Sequence, residues 1–234
     1  MFHILWVTLL VFCCGVSSLG CRGGDAPATQ SAESAKAEQH PTQNGGSSKA
    51  IMFFGDSLTA GFGIDPAYAF PSLIQEKIRA NGWNFEVISA GVSGETTAGG
   101  LRRVDWVLQR PVDVFVLELG ANDGLRGQPV EHARENLQAI MDRVKSKYPQ
   151  VRIVLAGMEI PPNLSRAYTA RFRDIFPELA RKNNAALIPF LLDGVGGIPR
   201  LNLPDGLHPT AQGHKIVADN VWRVLEPVLE EMKP

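Results

Sequence analysis

Ser57 stands in the run Phe54-Gly55-Asp56-Ser57-Leu58-Thr59-Ala60-Gly61, directly after the apolar stretch Ala50 to Phe54 and inside a glycine-rich turn. A serine at the carboxyl end of a buried strand occupies the edge where open α/β folds place their ligands, and there its hydroxyl can serve as a nucleophile. Gly61 and Gly63 give the backbone the freedom for a sharp turn. The same position suits an N-capping serine at the start of a helix, so the residue by itself supports two readings. Three other segments concentrate residues able to do chemistry. They are Gly91-Val92-Ser93-Gly94-Glu95-Thr96-Thr97, Glu118-Leu119-Gly120-Ala121-Asn122-Asp123-Gly124 and Asp205-Gly206-Leu207-His208-Pro209-Thr210. In isolation each has a plain alternative: Asn122-Asp123-Gly124 reads equally as a turn, and Gly94 as a loop glycine. Asp205, His208 and His214 raise the question of a metal. Pro209 separates His208 from the helix that carries His214, and no third or fourth ligand is evident.

The elements that must position these segments alternate regularly. Ala50 to Phe54 is an unbroken apolar run of the kind buried on both faces of a parallel sheet. A helix is expected near Ala67 to Ala80, stopped by Asn81-Gly82. A strand over Phe85 to Ile88 leads to a loop from Ser89 to Thr97 and a helix to about Gln109, which Pro111 ends. The strand Val112 to Leu117, the helix Glu131 to Lys147 and the strand Val151 to Leu155 follow. A helix around Arg171 to Lys182, the strand Ala185 to Ile188 and a helix from about Thr210 to Glu230 complete the order. This alternation implies an α/β fold: a three-layer α/β/α sandwich around a parallel sheet of about five strands. Right-handed crossovers bring the loops after Phe54, Ile88 and Leu117 to one sheet edge.

With its four blocks in this order, the chain resembles the SGNH (GDSL) hydrolases, serine esterases named for Ser, Gly, Asn and His in separate segments. The resemblance runs from the first strand to the final helix and implies a flavodoxin-like sheet. Glu118 to Gly127, with Ile188-Pro189-Phe190, is most similar to the branch of bacterial arylesterases and acyl-CoA thioesterase/lysophospholipases. The family's roles, carried to matching positions, make Ser57 the nucleophile, His208 its base and Asp205 the residue that orients the imidazole. They make the backbone N–H groups of Ser57 and Gly94 and the side-chain amide of Asn122 the oxyanion hole. Thr59 stands where the second glycine of a Gly-x-Ser-x-Gly elbow would be, which sets the chain apart from α/β-hydrolases. Asp56 in this family serves the loops around the nucleophile. The related thioesterases line their acyl site with the loop after the fourth strand, so Ile160, Pro161, Leu164 and Tyr168 are the expected apolar walls, although Pro161 and Pro162 suit a purely structural connection as well. The expected reaction is metal- and cofactor-independent hydrolysis of a small acyl ester, thioester or lysophospholipid. A carbohydrate O-deacetylase on the same scaffold and a non-catalytic tethered binding module are the rival readings. His214 is expected near the core or satisfied at the surface, and His132 outside the chemistry.

The ends of the chain differ from this domain. Ile4 to Val11 is nearly all apolar and is followed by small residues up to Ser17-Ser18-Leu19-Gly20-Cys21, which resembles an export signal with a lipoprotein-type cleavage site. Residues 1–21 are therefore expected to be a signal peptide with Cys21 as the lipidated residue, although the n-region has no Lys or Arg and Ser18 replaces the usual larger aliphatic. Conventional cleavage is the alternative, and an uncleaved N-terminal anchor is a further one. Residues 22–49 are poor in large apolar side chains and read as a disordered tether, and residues 50–234 as the catalytic domain. All three cysteines, Cys13, Cys14 and Cys21, precede that domain, so it contains no disulfide, Cys-ligated metal or cysteine nucleophile. The net charge of −1, with acids and bases interspersed, points away from nucleic acid as a partner. The expected location is exported, in the periplasm or outer envelope, membrane-held through the lipid if Cys21 is modified.

Overall fold

The computed structural model describes residues 48–161 and 164–233. The expected signal segment, Cys21, residues 22–47 of the tether, and Pro162 and Asn163 lie outside the described residues.

Five parallel strands form one sheet: β1 (Lys49–Gly55), β2 (Phe85–Gly91), β3 (Val114–Glu118), β4 (Arg152–Ala156) and β5 (Ala186–Ile188). Their spatial order is β2-β1-β3-β4-β5. The chain therefore moves outward from β1 to β2, then returns to lay β3 on the other side of β1. That reversal opens a crevice beyond the carboxyl ends of β1 and β3, where ligands of open α/β sheets bind. Helices α2 (Phe70–Ala80) and α7 (Ala211–Glu230) cover one face, and α3 (Thr97–Val107), α5 (Val130–Lys147) and α6 (Arg166–Asn183) the other. Two short helices, α1 (Ser57–Ala60) and α4 (Ala121–Leu125), sit directly on the crevice after β1 and β3.

Burial on both faces explains the unbroken apolar strands. Successive side chains of a strand point to opposite faces. Phe53 accordingly meets Phe70 of α2 edge-on at 5.5 Å between ring centroids. Phe54 meets Phe115 at 5.4 Å, with the Arg103 guanidinium 4.2 Å above its ring. Both phenylalanines are fully buried, each worth roughly 1.5–3 kcal/mol of transfer free energy.

The element boundaries differ from expectation where polar caps intervene. Asp65 accepts the Ala67 N–H and holds Pro66–Tyr68 in a 3₁₀ turn, so α2 begins at Phe70 rather than Ala67. A side-chain cap also sets the start of α6, where the Ser165 hydroxyl accepts the Tyr168 N–H and begins the helix at Arg166, a turn earlier than the apolar pattern suggested. Strand β2 runs on through Ser89 and Ala90 to Gly91, because Gly55 and Gly91 still pair in register. Strand β3 starts at Val114 and takes in Glu118, which pairs in register with Gly55.

Candidate active site

Ser57 is the first residue of α1, and Asp56, not Ser57, is the cap: its Oδ1 accepts the Leu58 N–H at 3.0 Å. That division of labour leaves the serine hydroxyl unspent on the backbone. The chain then reverses at Gly61, and the Phe62 N–H donates to the Ser57 carbonyl at 3.0 Å. Ser57 is buried except for a small opening.

His208 and Asp205 approach from the loop before α7. The Leu203 N–H donates to the His208 carbonyl at 2.7 Å, and Asn202 Nδ2 donates to the carbonyls of Val195 and Ile198 at 2.7 and 2.9 Å. Within that closed loop His208 Nε2 lies 2.9 Å from Ser57 Oγ, and His208 Nδ1 lies 2.7 Å from Asp205 Oδ2. Asp205 Oδ1 accepts the N–H groups of His208 and Leu207 at 3.0 and 2.8 Å. Those two backbone donors, aided by the imidazole, hold the Asp205 carboxyl down to about 2. The carboxylate is thus ionised under all ordinary conditions. Since it accepts, Nδ1 carries the proton and Nε2 is free to accept from the serine hydroxyl.

The other two blocks close over the serine. Gly94 has φ of +78°, a left-handed conformation that a side chain would strain, and its carbonyl accepts from Arg126 Nη2 at 3.1 Å. Ser57, at the first helical position, has a backbone N–H for which the helix provides no acceptor. Asn122 Nδ2 donates to Asp56 Oδ2 and to the Glu95 carbonyl, each at 3.0 Å. Ser57, Asn122, Asp205 and His208 therefore come together at the crevice between β1 and β3, and the segment of Gly94 is tied to them through the Asn122–Glu95 hydrogen bond.

Buried and half-buried polar residues outside the proposed chemistry support this arrangement, among them Arg103, which the sequence placed on the wet face of a helix. Glu118, fully buried at the end of β3, receives the Asp56 N–H at 3.1 Å, the Thr59 N–H at 3.2 Å and the Thr59 hydroxyl at 2.7 Å, all on Oε2. Its carboxyl presses so close to Gly55 that a Cβ there would come within 2.3 Å of Oε2. Asp123 receives the Thr97 N–H and hydroxyl at 2.8 and 2.6 Å, tying the third block to the start of α3. Arg103 grips the Glu95 carboxylate through Nε and Nη2 and donates to the Ala90 carbonyl at 3.0 Å. One signal for Glu118 was present in the sequence: an acid that continues an apolar strand buried on both faces. Nothing local marks Asp123 or Arg103 as different from surface charges.

Burial sets the electrostatics of the inner groups. It pushes the Asp56 carboxyl up to about 6, against hydrogen bonds from Leu58 and Asn122 that favour its ionised form. Burial also raises Glu118 well above the usual carboxylate range, and the nearby Asp56 charge adds to the effect. His214 lies in the core, its Nδ1 accepting the Phe70 N–H at 3.2 Å, and burial lowers it to about 4. His132 lies in the first turn of α5, and its N–H donates to the Pro129 carbonyl.

A cleft of about 390 Å³ opens beside Ser57 and His208, bounded by Leu125, Met158, Ile160, Pro161, Phe190 and Leu192. Ile160 and Pro161 thus line it. Leu164 and Tyr168 are not among its walls. Tyr168 instead donates its hydroxyl to the Gln128 carbonyl at 2.6 Å and stacks on Phe172, securing the start of α6.

Comparison with known proteins identifies the family. The family model for GDSL-like lipases/acylhydrolases matches residues 53–216. Esterase TesA of Pseudomonas aeruginosa is 33% identical over 183 residues, 77% of this chain and 90% of that one. Thioesterase 1/protease 1/lysophospholipase L1 of Escherichia coli K12 is 32% identical over 180 residues, 76% of this chain and 84% of that one. The crystal structure of AlinE4, a SGNH-hydrolase family esterase, superposes with a TM-score of 0.65 at 38% identity, covering 81% of this chain and 98% of that one.

Proposed function

The chain belongs to the GDSL-like lipase/acylhydrolase family and is a carboxylic ester hydrolase, and from that premise we propose that it cleaves small acyl esters or thioesters through a Ser57-His208-Asp205 triad and an acyl-enzyme. The observation that carries this reading is the unbroken chain of short contacts from Asp205 Oδ2 through the imidazole to Ser57 Oγ. As Ser57 Oγ bonds to the carbonyl carbon, His208 Nε2 takes its proton and Asp205 stabilises the imidazolium. The carbonyl oxygen gains negative charge and is met by the Ser57 and Gly94 N–H groups and the Asn122 amide. Because both Asn122 hydrogens already have acceptors, its donation requires one of them to be shared with the oxyanion. Collapse breaks the bond to the leaving oxygen or sulfur, which receives the proton from His208. Water then repeats the sequence on the acyl-serine and releases the acid.

The apolar walls of the cleft suit an acyl chain better than a sugar, which favours this reading over an O-deacetylase. The names of the relatives support acyl esters, thioesters and lysophospholipids as the range to test. The purified protein is expected to hydrolyse an activated short-chain acyl ester in the presence of chelator and to be inactivated by a serine-directed phosphonate attached at Ser57. Full activity in Ser57→Ala would sink the proposal. We further place the enzyme in the cell envelope, held by a lipid on Cys21, a reading supported by the apolar run Ile4 to Val11 and the polar stretch that follows Cys21. Incorporation of a labelled fatty acid that is lost in Cys21→Ala tests it.

A further inference from the structure

His208 is a wall of the acyl cleft, and its imidazole also meets a phenyl ring that is not one. That ring is Phe62, its centroid 4.5 Å from that of His208 at an interplanar angle of 42°. Phe62 is 48% exposed and is absent from the walls of the cleft, whereas His208 and the adjoining Leu207, itself 41% exposed, belong to them. What distinguishes Phe62 from other exposed apolar side chains is its direct ring contact with the catalytic base.

The direction of proton transfer gives this contact a role. The group that leaves must present its oxygen or sulfur to His208 Nε2, the atom that has just received the serine proton. With the acyl portion in the cleft bounded by Leu125, Ile160 and Phe190, the leaving portion is left outside it, against the imidazole. Phe62 packs on that imidazole and is not a wall of the cleft. Gly61, at φ of +70°, reverses the chain after α1, and the Phe62 N–H is bonded to the Ser57 carbonyl, so the backbone that carries the ring is held against the nucleophile.

We propose that Phe62 forms a leaving-group subsite, a flat apolar platform that receives the aromatic or otherwise planar apolar portion of an alcohol or thiol while His208 protonates it. The inference rests on the proposed triad. A ring stacked on Phe62 gains an offset or edge-on aromatic contact that a small alkyl leaving group cannot make. The contact exists only until the leaving group departs, so it acts on acylation and not on hydrolysis of the acyl-enzyme.

The test compares phenyl acetate and 2-naphthyl acetate with ethyl acetate, three esters that give one common acetyl-enzyme. In Phe62→Ala the ratio of kcat/KM for the aryl esters to that for ethyl acetate is expected to fall about three- to tenfold. Phe62→Trp is expected to restore or exceed the wild-type ratio, and Phe62→Leu to leave it reduced. An equal loss on all three esters would show that Phe62 only positions His208 and would overturn the proposal, as would an unchanged ratio. If Phe62→Ala fails to fold, as read by its melting transition, Phe62→Leu and Phe62→Trp carry the same comparison. Failure of the wild-type enzyme to turn over any of the three esters would instead count against the esterase reading itself, which the phosphonate reaction at Ser57 tests separately.

Discussion

Asn122 Nδ2 and Asp56 Oδ2 are 3.0 Å apart, which joins the residue beside the nucleophile to the side chain assigned to the oxyanion. The amide is held by two acceptors, Asp56 from the first block and the Glu95 carbonyl from the second. Preorganised donors of this kind are effective because they need no reorganisation when charge develops. Asp56, which never reaches the substrate in this scheme, orients one that does.

Replacing Asn122 by Ala is therefore expected to lower kcat by about a hundred- to a thousandfold with the fold intact. The same substitution removes a hydrogen bond that favours the ionised Asp56, so the Asp56 pKa should move above its present value of about 6. Ester turnover and an NMR titration of the carboxyl carbon check the two effects; full turnover in Asn122→Ala would remove the residue from the oxyanion hole.

Glu118 should matter more to the architecture of the nucleophile turn than its distance from the substrate suggests. Glu118→Ala leaves two buried N–H groups and a buried hydroxyl without their acceptor, at about 1–3 kcal/mol for each group left unsatisfied. Glu118→Gln keeps an acceptor oxygen and should cost less. Urea unfolding of the two variants is expected to rank them in that order, with kcat falling more in Glu118→Ala as Ser57 loses its fixed position.

The cleft sets acyl-chain preference through Ile160, which packs over Gly124: a Cβ added there would meet Ile160 Cγ2 at 2.6 Å. Ile160→Trp should fill part of the cleft and reduce kcat/KM for octanoyl esters at least tenfold more than for acetyl esters, a difference of about 1.4 kcal/mol or more. A p-nitrophenyl ester series from two to ten carbons measures it, and an unaltered chain-length profile would move the acyl site elsewhere.

Two buried groups give opposing pH dependences. Asp56 is raised to about 6, so the folded protein binds more protons than the unfolded chain between about 4 and 6, and stability falls as pH rises through that window. His214 is lowered to about 4, so the unfolded chain binds more protons between about 4 and 6.5, and stability rises with pH there. His214 opposes Asp56 in the overlapping window, while Glu118, also raised by burial, adds to the Asp56 decline above its ordinary range. His214→Gln should expose the joint Asp56 and Glu118 contribution as a decline in stability from pH 4 to 6. Denaturant midpoints of the variant across that range provide the measurement; a rising curve would contradict the assignment.

The alternation of strands and helices is legible in the residues alone, since burial on both faces demands the unbroken runs at Ala50 to Phe54 and Val114 to Leu117. Ser57, Gly94, Asn122, Asp205 and His208 are singled out by the resemblance of four blocks in order to a known family, where each block alone reads equally as a turn or a cap. How the cluster is held emerges only from packing in three dimensions. Whether Ser57 or Asp56 caps α1 depends on backbone direction at one residue; Asp56 is the cap, and the Thr59 N–H that a capping Ser57 would accept goes to Glu118 Oε2 instead. Glu118 reaches Asp56 and Thr59 across the β1–β3 pairing, a contact between residues about sixty positions apart that no local pattern encodes. Leu164 and Tyr168 share the apolar character of Ile160 and Pro161, yet Tyr168 is turned toward Gln128 once the Ser165 cap sets where α6 begins. Phe62 reads in the sequence as one more apolar residue in a turn, and only the packing of two distant loops sets its ring against His208. Residue type and spacing carry local geometry; side-chain direction and long-range pairing, which decide partners, arise when the sheet closes.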